Sequence, residues 1–248
     1  MAVETTIHDA RSAGDLSWQT NGFELINHQS AVSEWRDLAA IEAVHYAEIT
    51  DLARTLSGCD AVLFYPALLR SPEMAAEQPD LAPVQIAHSD YTEGYREMIG
   101  DPDHPYHDIL LPSMKRAGVT CADINGARRV LTLQMWRNTG APDTHYPLAV
   151  CDARDVPRSA LIPIEVPEYG GVRTGFQSFL VLPPDDPGAY HWFTFPHMQP
   201  HEVLLFRAYD SERAEAGETF WTPHTAFADP NGQAPRQSVE MRAICLFG

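Results

Sequence analysis

Positive charge is scarce in this chain. Its 248 residues include 17 Lys and Arg against 34 Asp and Glu, a formal net charge of −17. A surface of that sign repels phosphate backbones and anionic bilayers, which excludes nucleic acid and acidic membranes as partners. Cysteine is equally sparse: Cys59, Cys121, Cys151 and Cys245 lie far apart and form no CxxC pair. They read as reduced core residues of a cytosolic protein. No apolar run approaches the roughly 20 residues of a membrane-spanning helix. The first residues show no basic segment followed by an apolar one, so no secretory signal is expected and the expected location is cytoplasmic. Internal repeats and low-complexity linkers are lacking too. What is present is a globular composition, 44% hydrophobic and 10% aromatic, in a chain long enough to bury a core without disulfide or metal staples. One domain spanning residues 1–248 is the simplest organisation.

Periodicity divides the chain in two. Residues 1–20 are polar and are expected to be loosely held, and residues 22–27 read as a first strand. From Ser33 a 3.6-residue stripe of Trp35, Leu38, Tyr46, Ile49, Leu52, Ala53 and Leu56 predicts a helix that stops at Gly58. A buried strand follows at 60–65, leading to Arg70 and a loop rich in Pro and acids. Helical patterns return after Thr92, through Tyr95, Met98 and Ile99, and again over 108–117, where Pro112 starts or interrupts the helix. Beyond Asn125 the pattern is almost wholly β. Strands are expected at 129–137, 147–152, 161–166, 175–182, 190–195, 202–209, 219–225 and 238–247. Their spacing, with turns such as residues 183–188, points to an antiparallel sandwich or barrel. The expected fold is mainly β, a jelly-roll (double-stranded β-helix, cupin-like) core with a helical N-terminal part packed on it.

The chemistry centres on Ala87-His88-Ser89-Asp90-Tyr91-Thr92. Residues i and i+2 of a strand share a face, so the His88 imidazole and the Asp90 carboxylate can converge on one point. That is two thirds of the two-His-one-carboxylate set that holds a non-haem Fe(II) with open positions. Taken alone, His-x-Asp also describes the end of a surface strand. His224 is the candidate third ligand, and Arg236 and Ser238 follow it twelve and fourteen residues on. Arg236 and Ser238 share a face by the same rule. A guanidinium fork with a hydroxyl suits a planar carboxylate, such as the distal end of 2-oxoglutarate.

Histidine, a dozen residues and Arg-x-Ser together resemble the downstream half of the motif of the 2-oxoglutarate oxygenases. More of the chain resembles one branch of that superfamily, the hydroxylase/desaturase family of AsaB, CmcJ and gibberellin-desaturase-like type. The matching blocks are Gly22-Phe23-Glu24-Leu25 with His28, Leu68-Leu69-Arg70, residues 87–92, Trp136-Arg137 and residues 147–153. They continue through 191–196, 198–206, 209–211, 223–227, Asp229-Pro230 and 235–242. They fall in the family's order from about residue 20 onward. The resemblance implies His88, Asp90 and His224 as iron ligands, Arg236 with Ser238 as the co-substrate clamp, and Fe(II), 2-oxoglutarate and O2 as the reagents. Two departures point to a distinct pocket: Gln134, a further co-substrate-binding candidate, stands where the family has an Asn placed beside the co-substrate, and Asn138 follows Arg137 where the family has Pro.

Other residues carry two readings each. Arg242 lies on the face of Arg236 and Ser238, as a rival clamp or as the partner of Glu240 or another acid. Gln134 and Trp136 alternate onto one strand face, as cavity wall or, for Trp136, as core. Arg70 suits a substrate carboxylate or a structural ion pair. Tyr91 and Thr92 follow the ligand strand and either touch substrate or, for Thr92, cap the next helix. His191, His197 and His201 lack a carboxylate at matched spacing and read as structural or exposed. The expected activity is hydroxylation or desaturation of a small organic molecule, in secondary metabolism by the resemblance. The alternatives are isomerisation or oxidative cyclisation at the same iron, and a jelly-roll small-molecule binder without catalysis. The oligomeric state, monomer or homodimer, stays open.

Overall fold

The computed structural model describes residues 4–248. Two sheets face each other. One has seven strands, in the order Ile7–Asp9, Trp192–Thr194, Leu148–Cys151, His224–Ala226, His88–Ser89, Val172–Val181 and Leu161–Tyr169. The other has six: Phe23–Asn27, Glu202–Asp210, Arg129–Asn138, Ser238–Phe247 and Ala61–Phe64 in line, with Leu68–Arg70 also paired to Ser238–Phe247. Pairing is antiparallel except where Ile7–Asp9 runs parallel to Trp192–Thr194. This is the expected jelly-roll core.

The six-stranded sheet is covered on both faces. Its outer face carries Leu131, Leu133, Met135, Val239, Met241, Ala243 and Cys245, packed with Ile49 and Ala53 of the helix Tyr46–Ser57. Consequently Glu202–Asp210 is buried along its whole length and Arg129–Asn138 in all but its first residue. The inner face, at the alternate positions, looks into the space between the sheets. There Gln134, Trp136, Ser238, Glu240 and Arg242 stand in neighbouring rows: Trp136 lies opposite Glu240 and Gln134 opposite Arg242. Period-2 geometry therefore turns one strand into two surfaces, an apolar one for the helix and a polar one for the interior.

Several expectations on the N-terminal half need correction. The helix begins at Leu38, not near Ser33, because Asp37 caps it by accepting from the backbone of Ala39 and Ala40. A π-helical turn at Ile41–His45 then joins it to Tyr46–Ser57, and Gly58 ends it in the left-handed conformation at φ 73°. Residues 1–20 are not loosely held as a whole. Among the described ones, Ile7–Asp9 is a strand, Ala10 and Trp18 are buried, and Arg11 forks onto Glu202 at 2.7 and 2.8 Å. The second predicted helix starts earlier, at Pro105, with His104 as its cap and Pro112 inside it. No helix among the described residues is long and apolar enough to cross a membrane.

Candidate metal centre and anion clamp

His88 and His224 start two adjacent antiparallel strands and face each other in register. Their ring centroids are 4.3 Å apart. Asp90 follows the two-residue strand His88–Ser89, and its Oδ1 lies 3.7 Å from His224 Nε2. One donor atom from each of His88, Asp90 and His224 falls within 4.8 Å of the others. Both imidazoles are oriented through Nδ1, which lies 2.7 Å from the Ile86 carbonyl in His88 and 3.0 Å from the Thr222 carbonyl in His224. With Nδ1–H donating outward, each Nε2 presents a lone pair, the arrangement that orients histidine ligands of metals. His88 lies deep in the fold while its ring opens onto a cavity. Burial, then the neighbouring His224, lower its pKa to about 4, so the ring is neutral. Burial would raise the Asp90 carboxyl, but Arg242, His224 and His88 outweigh it and hold it at about 2. Two neutral imidazoles and one carboxylate form a donor set that fits a divalent iron.

The cavity above these residues measures about 610 Å3. Its walls are largely aromatic and aliphatic, with Tyr65, Tyr91, Tyr106, Phe176, Ile164 and Leu180 among them, and Ile86 and Val172 are exposed beside it. Its polar floor comes from the Ser238–Phe247 strand and the loop before it. Arg236, Glu240 and Arg242 line it, as do Gln134 and Arg70.

The three guanidiniums differ in their partners. Arg242 reaches Asp90 at 3.4 Å and Glu240 at 3.2 Å. Arg70 donates to the carbonyls of Asp80 and Ala82 at 3.1 and 2.9 Å and to the Tyr169 hydroxyl, and lies 3.5 Å from Glu240. Arg236 has no carboxylate within reach among the described residues. Its Nε donates to Ser238 Oγ at 3.1 Å and its Nη1 to the Tyr146 carbonyl at 3.3 Å, while the Trp136 ring lies 5.1 Å from its centre. Burial, and then the like charge of Arg70, pull its pKa down to about 9, so it remains protonated at neutral pH. A buried charge without a carboxylate contact is costly to the fold. Between the two rival clamps, the contacts tie Arg242 to Asp90 and leave Arg236 free.

The other sequence candidates separate. Tyr91 lines the cavity and stacks on Tyr95 at 3.9 Å. Gln134 lines it with a buried, unpartnered Oε1. Trp136 does not reach this wall. It sits beneath Arg236, packs with Leu148, Leu204 and Phe206, and borders a different cavity. Thr92 is buried on Gln177 at 3.3 Å, outside the cavity lining, and the helix Tyr95–Gly100 is capped at Gly94. His191 pairs with Asp155 and His197 with Asp143, both histidines exposed and away from the metal cluster. The residue whose weight the sequence understated is Glu240. It was legible only as a partner for Arg242, yet it is a buried carboxylate touching two arginines.

Known proteins resemble the chain along nearly its whole length. A family model described as Oxidoreductase/YMDC permease-like domain matches residues 1–246. The hydroxylase/desaturase CTB9 of Cercospora beticola is 27% identical over 253 residues, covering 94% of this chain and 72% of the relative. The hydroxylase/desaturase efuI of Hormonema carpetanum is 28% identical over 261 residues, covering 97% and 82%. Among solved structures, the iron and alpha-ketoglutarate-dependent endoperoxidase NvfI superposes with a TM-score of 0.77 at 21% identity, over 98% of this chain and 85% of the other. NvfI is a protein of Aspergillus novofumigatus. At that identity the likeness bears on the fold.

Proposed function

The chain belongs to the oxidoreductase/YMDC permease-like domain family, and we propose that it hydroxylates or desaturates a small organic molecule of secondary metabolism. It is an enzyme of the non-haem Fe(II)- and 2-oxoglutarate-dependent kind, with O2 as oxidant. We assign the iron to His88, Asp90 and His224 and the distal carboxylate of 2-oxoglutarate to Arg236 and Ser238, within one catalytic domain. The observation that carries this reading is the meeting, in one cavity, of a three-donor cluster with a buried arginine that lacks an anion.

An iron held by His88, Asp90 and His224 would supply oxidising chemistry in which O2 is the oxidant and 2-oxoglutarate is decarboxylated to succinate and CO2. The protein's residues position and insulate. The carbonyls of Ile86 and Thr222 fix the tautomer and tilt of the two imidazoles. Arg242 keeps Asp90 ionised and oriented as a ligand. Arg236 offers two N–H vectors to a carboxylate, and Ser238, which accepts from Arg236 Nε, keeps its own proton to donate. The walls of Tyr65, Tyr106, Phe176 and Leu180 exclude water and favour an uncharged, mainly apolar substrate. Gln134 Oε1 is the acceptor best placed for a substrate hydroxyl or amide.

The test is an anaerobic titration of Fe(II), then 2-oxoglutarate, followed through the metal-to-ligand charge-transfer band, with succinate measured after admitting O2 and candidate metabolites. Saturable iron uptake at one equivalent and a band that appears with 2-oxoglutarate are expected. Protein that binds neither sinks the reading and favours a non-catalytic binder.

A further inference from the structure

The cavity is lined by three guanidiniums and by the carboxylates of Asp90, Glu240 and the exposed Asp108, and on its floor the pairing is uneven. Asp90 is engaged by Arg242 alone among the arginines. Glu240 stands between the others: its Oε1 is 3.2 Å from Arg242 Nη2 and 3.5 Å from Arg70 Nη2. The register explains the arrangement. Ser238, Glu240 and Arg242 succeed one another on the inner face of one strand, and Arg70 lies opposite Ser238 on the neighbouring strand. Glu240 is thus flanked diagonally by Arg70 and along its own strand by Arg242. It is 5% exposed and buried among apolar and aromatic walls, where a carboxylate is tolerated only when paired. The arginines win against burial, and its pKa stays below the ordinary value.

We propose that Glu240 is a positioning residue that sets the anion selectivity of the cavity, by occupying Arg70 and Arg242 so that Arg236 alone is offered to an incoming carboxylate. The proposal rests on the co-substrate reading above. With Asp90 and Glu240 in place, the floor carries one guanidinium without a carboxylate contact, that of Arg236, which donates to Ser238. Without Glu240 the floor gains a second unmatched charge. Arg70 and Arg242 then compete for the same ligand, and a dicarboxylate can bind out of register, with no keto group directed at the metal. On this proposal Glu240 acts through the arginines and not as a ligand of the metal or the co-substrate. It converts a generally anion-attracting pocket into one that holds a dicarboxylate by one end only.

The experiment compares the affinities of 2-oxoglutarate and succinate, by calorimetry under anaerobic conditions, for the Fe(II)-loaded and the metal-free full chain. In the wild type, 2-oxoglutarate binds the iron-loaded form far better than succinate. Glu240→Gln should tighten succinate about tenfold and compress the 2-oxoglutarate-to-succinate preference by a similar factor. Removing the orphaned cation as well, in Glu240→Gln with Arg70→Met, should restore the wild-type preference, a rescue that a merely structural glutamate would not give. Thermal melting reports whether each variant is folded. If Glu240→Gln does not fold, Glu240→Asp keeps the charge but shortens the reach to a contact already at 3.5 Å, and should show partial loss of preference. An unchanged preference in a folded Glu240→Gln or Glu240→Asp protein, or no restoration in the double variant, overturns the proposal. Wild-type protein that fails to bind 2-oxoglutarate at all would instead overturn the functional reading beneath it.

Discussion

Replacing Arg236 should move affinity and stability in opposite directions. The guanidinium is buried with a hydroxyl, a carbonyl and an indole face as its neighbours and no carboxylate. Its pKa falls from 12.5 to about 9. At ~1.36 kcal/mol for each tenfold change in acidity, the fall corresponds to roughly 5 kcal/mol of disfavoured charge, the scale of the cost that a bound anion offsets. A charge-assisted hydrogen bond contributes about 1.5–3 kcal/mol, and stranding a buried partner costs about 3–5 kcal/mol. Arg236→Met should therefore weaken 2-oxoglutarate binding by about a hundredfold or more, at ~1.4 kcal/mol per tenfold. The same substitution removes an unpaired buried charge from the ligand-free protein and fills its space with a flexible apolar chain. It should stabilise the fold by on the order of 1–2 kcal/mol, raising the melting temperature by a few degrees. Anaerobic titration followed through the charge-transfer band gives the first quantity and calorimetric melting without co-substrate the second. A variant that melts lower and binds 2-oxoglutarate as well as the wild type would show that Arg236 is a structural residue, and the argument from its missing anion would fail.

The remaining expectations concern neighbouring groups. His88→Ala, Asp90→Ala and His224→Ala should each abolish stoichiometric Fe(II) binding with the fold retained by circular dichroism; retention of one equivalent of iron by any of them removes that residue from the ligand set. Ser238→Ala should weaken 2-oxoglutarate by about one tenfold step and leave iron affinity unchanged. Gln134→Leu should change substrate affinity or product pattern more than co-substrate affinity, whereas Trp136→Phe, whose ring supports Arg236 from outside this cavity, should act mainly on co-substrate affinity; the reverse pattern would refute both placements. His45 gives the pH dependence. Burial, opposed by its contact with Glu48 at 2.8 Å and reinforced by Arg137, lowers its pKa from 6.5 to about 4. Its neutral form is thus favoured by folding, and its contribution is complete above pH 6.5 and is lost as pH falls towards 4. The full loss is up to about 3 kcal/mol at ~1.36 kcal/mol per unit. Urea midpoints of wild type and His45→Phe should therefore converge between pH 7 and pH 4.5, and parallel profiles would contradict the shift.

How much of this was legible follows from how local each feature is. Arg129–Asn138, Glu202–Asp210 and Ser238–Phe247 were readable because nine or ten β-rich residues leave little alternative. Ile7–Asp9 and Leu68–Arg70 were not, because three residues carry no period and their pairing is wholly tertiary. The ligand pair His88 and Asp90 was visible through the two-residue rule, although the strand itself holds only His88 and Ser89. The approach of His224 was not. It depends on a register between two strands 136 residues apart in sequence, and what pointed to His224 was Arg236 and Ser238 downstream of it together with the resemblance. Trp136 shows the converse limit. Alternation places it correctly on the inner face, but the thickness of Arg236 and Leu148 decides which cavity it borders.

The strand Ser238–Phe247 shows why a local reading misjudged Glu240. Serine, glutamate and arginine alternating with valine, methionine and alanine describe, by composition, a strand with one face to solvent and one to the core. Here the apolar face meets the helix Tyr46–Ser57 and the charged face looks inward. Charges enclosed on an inner face without partners would be prohibitive. These are tolerated because the opposite sheet delivers Asp90, and a nearby loop delivers backbone carbonyls, to the same space. Each inward charge but one thereby gains a carboxylate partner. The exception is Arg236, and under the proposed co-substrate role its cost to the fold becomes affinity for the carboxylate. A sequence pattern that looks like an exposed edge is, in a sheet whose outer face is covered by a helix and whose inner face meets a second sheet, the signature of a polar interior site.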